Sequence, residues 1–178
     1  MEHHARRLPH WDVVGKPLFV TFRLWGSLPA SRFFPPDTQS AKAFVAMDRI
    51  LDKAQTGPLL LKIPEIAQCV VEAIKEGERR FHRYVLHSYV VMANHVHMLV
   101  TPHVVSTKWL GPLKGFTSHQ ANQILGLTGR HFWQDESYDH LVRNGEEFRR
   151  IQHYIENNPV KAGLVSTPGE FPWSSRAA

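Results

Sequence analysis

The stretch YVLHSYVVMANHVHMLVTP, residues 84–102, decides the fold. It holds two β-rich runs, about 84–92 and 96–101, parted by Ala93–Asn94. Valine, tyrosine and leucine suit extended backbone, and an asparagine between two such runs marks a tight turn or a bulge. The stretch therefore predicts a β-hairpin. Pro102 ends its second strand, because proline has no N–H to give to a ladder.

Working outward, LFVTFRL (18–24) reads as an earlier strand, followed by a long loop over 26–38 with Gly26, Pro29, Pro35 and Pro36. From Ser40 to about Lys53, Phe44, Met47 and Leu51 recur at helical spacing. Thr56 to Pro58 breaks that helix, and Pro64 opens a second one with Ile66, Val70 and Ile74 on one face. Downstream, a third helix is expected from Thr107 to Leu125, closed by Gly126 and Gly129. Short extended pieces follow at 131–133 and 138–142. A last helix runs from Glu146 to Asn157, with Pro159 and Gly163 ending it. The order is strand, helices, strand, strand, helix, strand, helix. A hairpin between two helical crossovers is the split β-α-β pattern of a ferredoxin-like sheet. The expectation is an α+β fold in one domain, an antiparallel-dominated sheet with helices packed on it. An N-terminal arm is expected over 1–16, the main domain over 17–165, and a tail over 166–178 that docks through Phe171 and Trp173.

The composition bounds the function. With 178 residues and 43% hydrophobic content, the chain can bury a sizeable core. A net charge of +5 favours an anionic partner, though solubility alone also accounts for it. Cys69 is the sole cysteine, which excludes an internal disulfide framework and a cysteine-rich zinc module, and suits a reducing cytoplasm. No run of 18 apolar residues exists, so no membrane span is expected. MEHHARRLPHW (1–11) has no apolar segment of the kind a secretory signal needs.

Twelve histidines are the unusual feature, and two of them, His95 and His97, lie two apart in a predicted strand. Residues i and i+2 of a strand share a face, so the imidazoles make a half-site for a divalent metal. Val96, Met98 and Val100 then point to the other face, and Leu99 lies on the histidines' side. The competing reading is two histidines on a half-exposed strand, bonded to water or backbone. In the last helix, EEFRRIQHYIENN (146–158), Phe148, Ile151 and Ile155 form an apolar stripe. Tyr154 and Asn158 are one turn apart beside it, so they stack on one face. Tyr154 is either a packing residue at the core rim or a hydroxyl able to attack phosphorus, which needs help because a phenol ionises only near pH ~10. Asn158 either offers an amide oxygen to a metal or caps the helix end.

Arg79 and Arg83 belong to a basic cluster leading into the hairpin, Lys114 and His119 lie on the third helix, and Arg143, Arg150 and Lys161 surround the tyrosine helix. Phosphate binding needs such donors. Trp109, Phe116 and Trp133 are candidates to stack on splayed bases. For any one of them, a solvated charge or a core aromatic is the plainer reading.

MANHVHMLV (92–100) carries a His95–Val96–His97 element that resembles the histidine–hydrophobe–histidine motif of single-tyrosine nucleic-acid transesterases. FWQDESYDHLVRN (132–144) and YIENNPVKAGLV (154–165) resemble the C-terminal signature of REP-associated tyrosine transposases, relatives of the small transposases of bacterial insertion sequences. FPWSS (171–175) resembles their ending. The resemblance covers roughly residues 10–175. It implies a ferredoxin-like domain, His95, His97 and Asn158 as ligands to Mg²⁺ or Mn²⁺, and Tyr154 as the nucleophile. Tyr138 is a rival by residue type but has no ligand-type partner one turn on. Asp139 and His140 fit the family's pattern as residues that brace the site or hold phosphate.

The resemblance further implies a metal-dependent transesterase. Tyr154 attacks single-stranded DNA that carries a hairpin from repetitive extragenic palindromes, and forms a 5′-phosphotyrosine link. No nucleotide cofactor is needed, since transesterification conserves bond energy. The protein is expected in the cytoplasm, as a monomer or a homodimer. A catalytically idle hairpin-binding protein on the same scaffold is the alternative, and a metal-dependent hydrolase of a small phosphoester a third.

Overall fold

The structure, a computed structural model, describes residues 13–28, 41–55 and 57–177. Most of the expected arm, and the expected loop from residue 29 on, lie outside the described residues. Strand β1 spans Leu18–Arg23, helix α1 Ala41–Lys53 and helix α2 Pro64–Arg79. The hairpin is β2, Tyr84–Val91, and β3, His95–Pro102. Helix α3 covers Ser106–Leu125, strand β4 Tyr138–Leu141 and helix α4 Gly145–Lys161. The sheet order is β2-β3-β1-β4 and every pairing is antiparallel. This is the ferredoxin-like arrangement expected of one α+β domain. The third helix begins at Ser106, and Gly126, at φ 65°, caps it in the left-handed conformation that glycine adopts without penalty.

Both faces of the sheet are covered, which explains why β3 is buried almost throughout instead of alternating in exposure. Leu18, Val20 and Phe22 of β1, Leu24 just after it, and Val96, Met98 and Val100 of β3 pack with α2 and α3. Phe19 and Leu99 point the other way, to Phe44 of α1 and Ile155 of α4. The histidines fall on this second face, as strand alternation requires. A bulge between Leu86 and Ser88 shifts the β2 register.

The last helix departs from the expectation. Pro159 does not end α4, which runs on to Lys161. Proline removes only its own N–H, and the ladder resumes at once with Ala162 N–H donating to the Asn158 carbonyl at 2.9 Å. Asn144 caps the start, its side chain accepting from Glu147 N–H. The residues of the tail lie along β2, where Val91 N–H donates to the Trp173 carbonyl and Ser175 N–H to the Tyr89 carbonyl. Trp173 packs against the α2–α3 side of the core. This covers an edge strand whose unpaired groups would otherwise face solvent.

Candidate active site

His95 and His97 are fully buried, which removes the half-exposed reading. Asn94 Nδ2 donates to the Leu51 carbonyl at 3.1 Å, so its Oδ1 faces His95 Nδ1 at 2.7 Å. An amide oxygen only accepts. His95 therefore carries its proton on Nδ1 and presents a lone pair at Nε2. Burial and the neighbouring His97 push the His95 pKa down to about 3, so the ring is neutral. His97 Nδ1 lies 2.7 Å from Thr21 Oγ1, a group that can donate or accept. The two Nε2 atoms meet at 3.1 Å.

Two acids from α1 reach this point. Asp48 Oδ1 is 3.0 Å from His97 Nε2 and 3.7 Å from His95 Nε2. Asp52 Oδ1 is 3.7 Å from His95 Nε2. Burial works against the Asp48 charge, but His97, His95 and Lys161 outweigh it and hold its carboxyl below the usual range. Burial and then the Asp48 charge push Asp52 up to about 6. Both Asp48 oxygens, Asp52 Oδ1 and both amide atoms of Asn158 are buried without a well-aligned hydrogen bond. Buried polar atoms are ordinarily satisfied, so the unsatisfied carboxylate and amide oxygens of this cluster, around two imidazole nitrogens, fit a divalent cation. Among the described residues, Asp48, His95 and His97 each bring one ligand atom within 4.8 Å of the others.

Tyr154 stands beside this cluster, its ring centroid 5.7 Å from that of His97. Phe19 and Phe44 contact it edge-on, and Lys161 Nζ lies 5.2 Å from the ring centre. Tyr138 stacks on Phe44 at 4.4 Å. Burial, with Glu147 and Asp139, raises its pKa, which is the wrong direction for a nucleophile. His140 Nε2 is 3.0 Å from Glu147 Oε1, tying β4 to the start of α4, and Asp139 accepts from Ser137.

The fold gathers His95, His97, Tyr154, Asn158 and Lys161, and leaves Arg143 and Arg150 exposed near the start of α4. Lys114 and His119 ride on α3, across the sheet, and Lys114 donates to the carbonyls of Gln134 and Asp135. Arg79 and Arg83 lie beyond the far end of β3, since neighbouring Tyr84 pairs with Pro102. Trp109 and Trp133 are core residues, 1% and 5% exposed, so the stacking role expected of them fails. Phe116 is 54% exposed. Asp48 and Asp52 escaped the reading of the sequence. Their signal was an acid inside an apolar stripe, since Phe44, Asp48 and Leu51 share the i, i+4, i+7 face, with a second acid one turn later.

The family model described as "Transposase IS200 like" matches residues 62–158. A REP-associated tyrosine transposase of Escherichia coli (strain K12) is 29% identical over 101 residues, 54% of this chain. The chain spans only 57% of that relative's length. A solved structure of a REP-associated tyrosine transposase bound to a REP hairpin covers 98% of this chain and 82% of its own. Its TM-score is 0.58 at 22% identity, a likeness of fold. The family match takes in more than half of the 178 residues, with both buried histidines, Tyr154 and Asn158 inside it, and the chain belongs to the IS200-like transposase family.

Proposed function

We propose that the protein is a metal-dependent single-stranded DNA transesterase that binds hairpin-containing repeat DNA and cuts and rejoins it through Tyr154. The observation that carries this reading is the Tyr154 ring 5.7 Å from His97, next to a cluster of orphaned acceptors. His95, His97 and Asp48, with Asn158 from α4, would hold Mg²⁺ or Mn²⁺. When bound, that ion neutralises and polarises the non-bridging oxygens of the scissile phosphate. The Tyr154 oxygen bonds to phosphorus, the P–O3′ bond breaks, and the tyrosine proton is accounted for in the 3′-hydroxyl released. A 5′-phosphotyrosine link remains and reverses the step at another 3′ end, without a nucleotide cofactor. Thr21 and Asn94 orient the imidazoles, and Phe19 and Phe44 hold the tyrosine ring beside them. The hairpin carried by the solved neighbour supports hairpin DNA as the substrate class.

The test uses 5′- and 3′-labelled hairpin oligonucleotides from repeats of the source genome, incubated with Mn²⁺ and run on a denaturing gel. Wild type gives a covalent protein–DNA band that is lost with chelator and in Tyr154→Phe. Binding without an adduct, across several hairpins and both metals, rejects the transesterase and leaves the idle hairpin binder.

A further inference from the structure

Strand β1 carries unused chemistry at its carboxyl end. Thr21 and Arg23 share the face of β1 that meets the histidines, because Thr21 pairs with His97 and Arg23 with His95. Directly opposed residues of an antiparallel pair have Cβ atoms about 5 Å apart. The Arg23 guanidinium is half-buried, donates to Ser27 Oγ at 3.2 Å, and feels the charge of Glu136. Its backbone thus stands directly opposite His95, and a guanidinium with five N–H donors keeps donor capacity beyond the bond to Ser27.

Trp25 follows two residues on. Its indole is 45% exposed although His131 stacks on it at 4.8 Å and 24°. The stack is held rigidly. The Trp25 backbone N–H donates to the Phe132 carbonyl at 2.9 Å, and the Leu24 backbone N–H donates to the carbonyl of Asn94, the residue that orients His95. Phe132 and Trp133 anchor the His131 segment in the core. Gly26, at φ 72°, turns the chain away, and any side chain at Gly57 would strike the Gly26 carbonyl. An exposed tryptophan fixed in this way is a preformed surface for a flat, apolar group.

We propose that the end of β1 is a nucleotide subsite, in which Arg23 holds a backbone phosphate and Trp25, backed by His131, stacks an unpaired base beside the scissile bond. The inference deepens the transesterase reading and rests on it. It makes the ligand a single strand, since a paired base cannot offer its face to the indole. It also divides the substrate, with the unpaired extension at the His95 end of the sheet and the hairpin stem elsewhere.

The test places 2-aminopurine at successive positions of the unpaired extension of the same hairpin oligonucleotides and reads fluorescence on binding. Wild type quenches the probe at one position. Trp25→Ala abolishes that quench and weakens binding by about tenfold, with Trp25→Phe restoring part of both. Phe81→Ala, an exposed aromatic at the opposite end of the sheet, changes neither. Replacing the same nucleotide by an abasic residue weakens wild type and leaves Trp25→Ala without further loss. For Arg23, a methylphosphonate at the contacted phosphate removes the charge, so Arg23→Ala costs affinity on the natural strand and little on the modified one. A quench and an affinity that survive Trp25→Ala overturn the subsite. The covalent adduct is scored separately with wild type, so failure of the transesterase reading shows as binding without an adduct, whatever the probe does.

Discussion

His95 keeps its proton on Nδ1 because Asn94 has one orientation open to it, set by its bond to Leu51. Such outer partners fix the tautomer and aim the lone pair of a ligating imidazole. Asn94→Ala is therefore expected to weaken Mn²⁺ binding about 10- to 100-fold, read by calorimetric titration, with the fold intact by circular dichroism. Asp48→Asn is expected to cost at least as much, since it removes a charged donor from the centre. An unchanged affinity in Asp48→Asn would remove that carboxylate from the ligand set. The histidine pair and the Tyr154–Asn158 spacing were legible because strand and helix periodicity turn sequence spacing into shared faces. Asp48 was not, because which helix lies over the histidines is a tertiary fact that periodicity within α1 does not contain. Trp109 and Trp133 misled for a related reason, since an aromatic residue type does not say whether the ring faces core or solvent.

Helix α4 delivers Tyr154, and its start is tied to the sheet by one carboxylate. Glu147 accepts from the Arg143 backbone N–H at 2.8 Å and meets His140 at 3.0 Å. Burial opposes its charge, but that backbone bond and His140 hold its pKa below the ordinary value of 4.5. A depressed carboxyl contributes stability above its unfolded pKa and loses it as pH falls. Wild type is thus expected to melt above Glu147→Gln at neutral pH, with the gap closing below about pH 4.5, as thermal melts across pH would show. A pH-independent gap would assign the effect to packing. Helix α2 offers a second test. A Cβ at Gly77 would overlap the Tyr84 hydroxyl, which donates to the Ile74 carbonyl at 2.7 Å. Gly77→Ala is expected to cost about 1–3 kcal/mol in denaturant titration, and less when combined with Tyr84→Phe. The elements themselves were legible from caps and apolar stripes. Pro159 was misread as a stop because a proline in the last turn forfeits one bond while the following residues keep theirs.

At the scale of the molecule, the two faces of the sheet do different work. The α2–α3 side is an apolar core, so it stands without help. The α1–α4 side closes over the buried Asp48, the partly buried Asp52 and an asparagine whose polar atoms include several with no well-aligned hydrogen bond, and burying such groups costs stability. On the proposed reading, a cation held there would link β3 to α1 through Asp48, and to α4 through Asn158. Anything that binds the folded state alone stabilises it, by about 2.7 kcal/mol at a free concentration 100 times the Kd. Mn²⁺ is therefore expected to raise the melting temperature over that in chelator, and the gain should shrink in Asp48→Asn. Hydrogen exchange separates this from a general salt effect. Amides of α1 should gain protection with Mn²⁺, whereas those of α2 and α3, which never touch the site, should change only when global unfolding governs their exchange. Equal gains in all four helices with Mg²⁺, Mn²⁺ and a monovalent salt would mean that ionic strength is acting, and that the acids of α1 hold no ion.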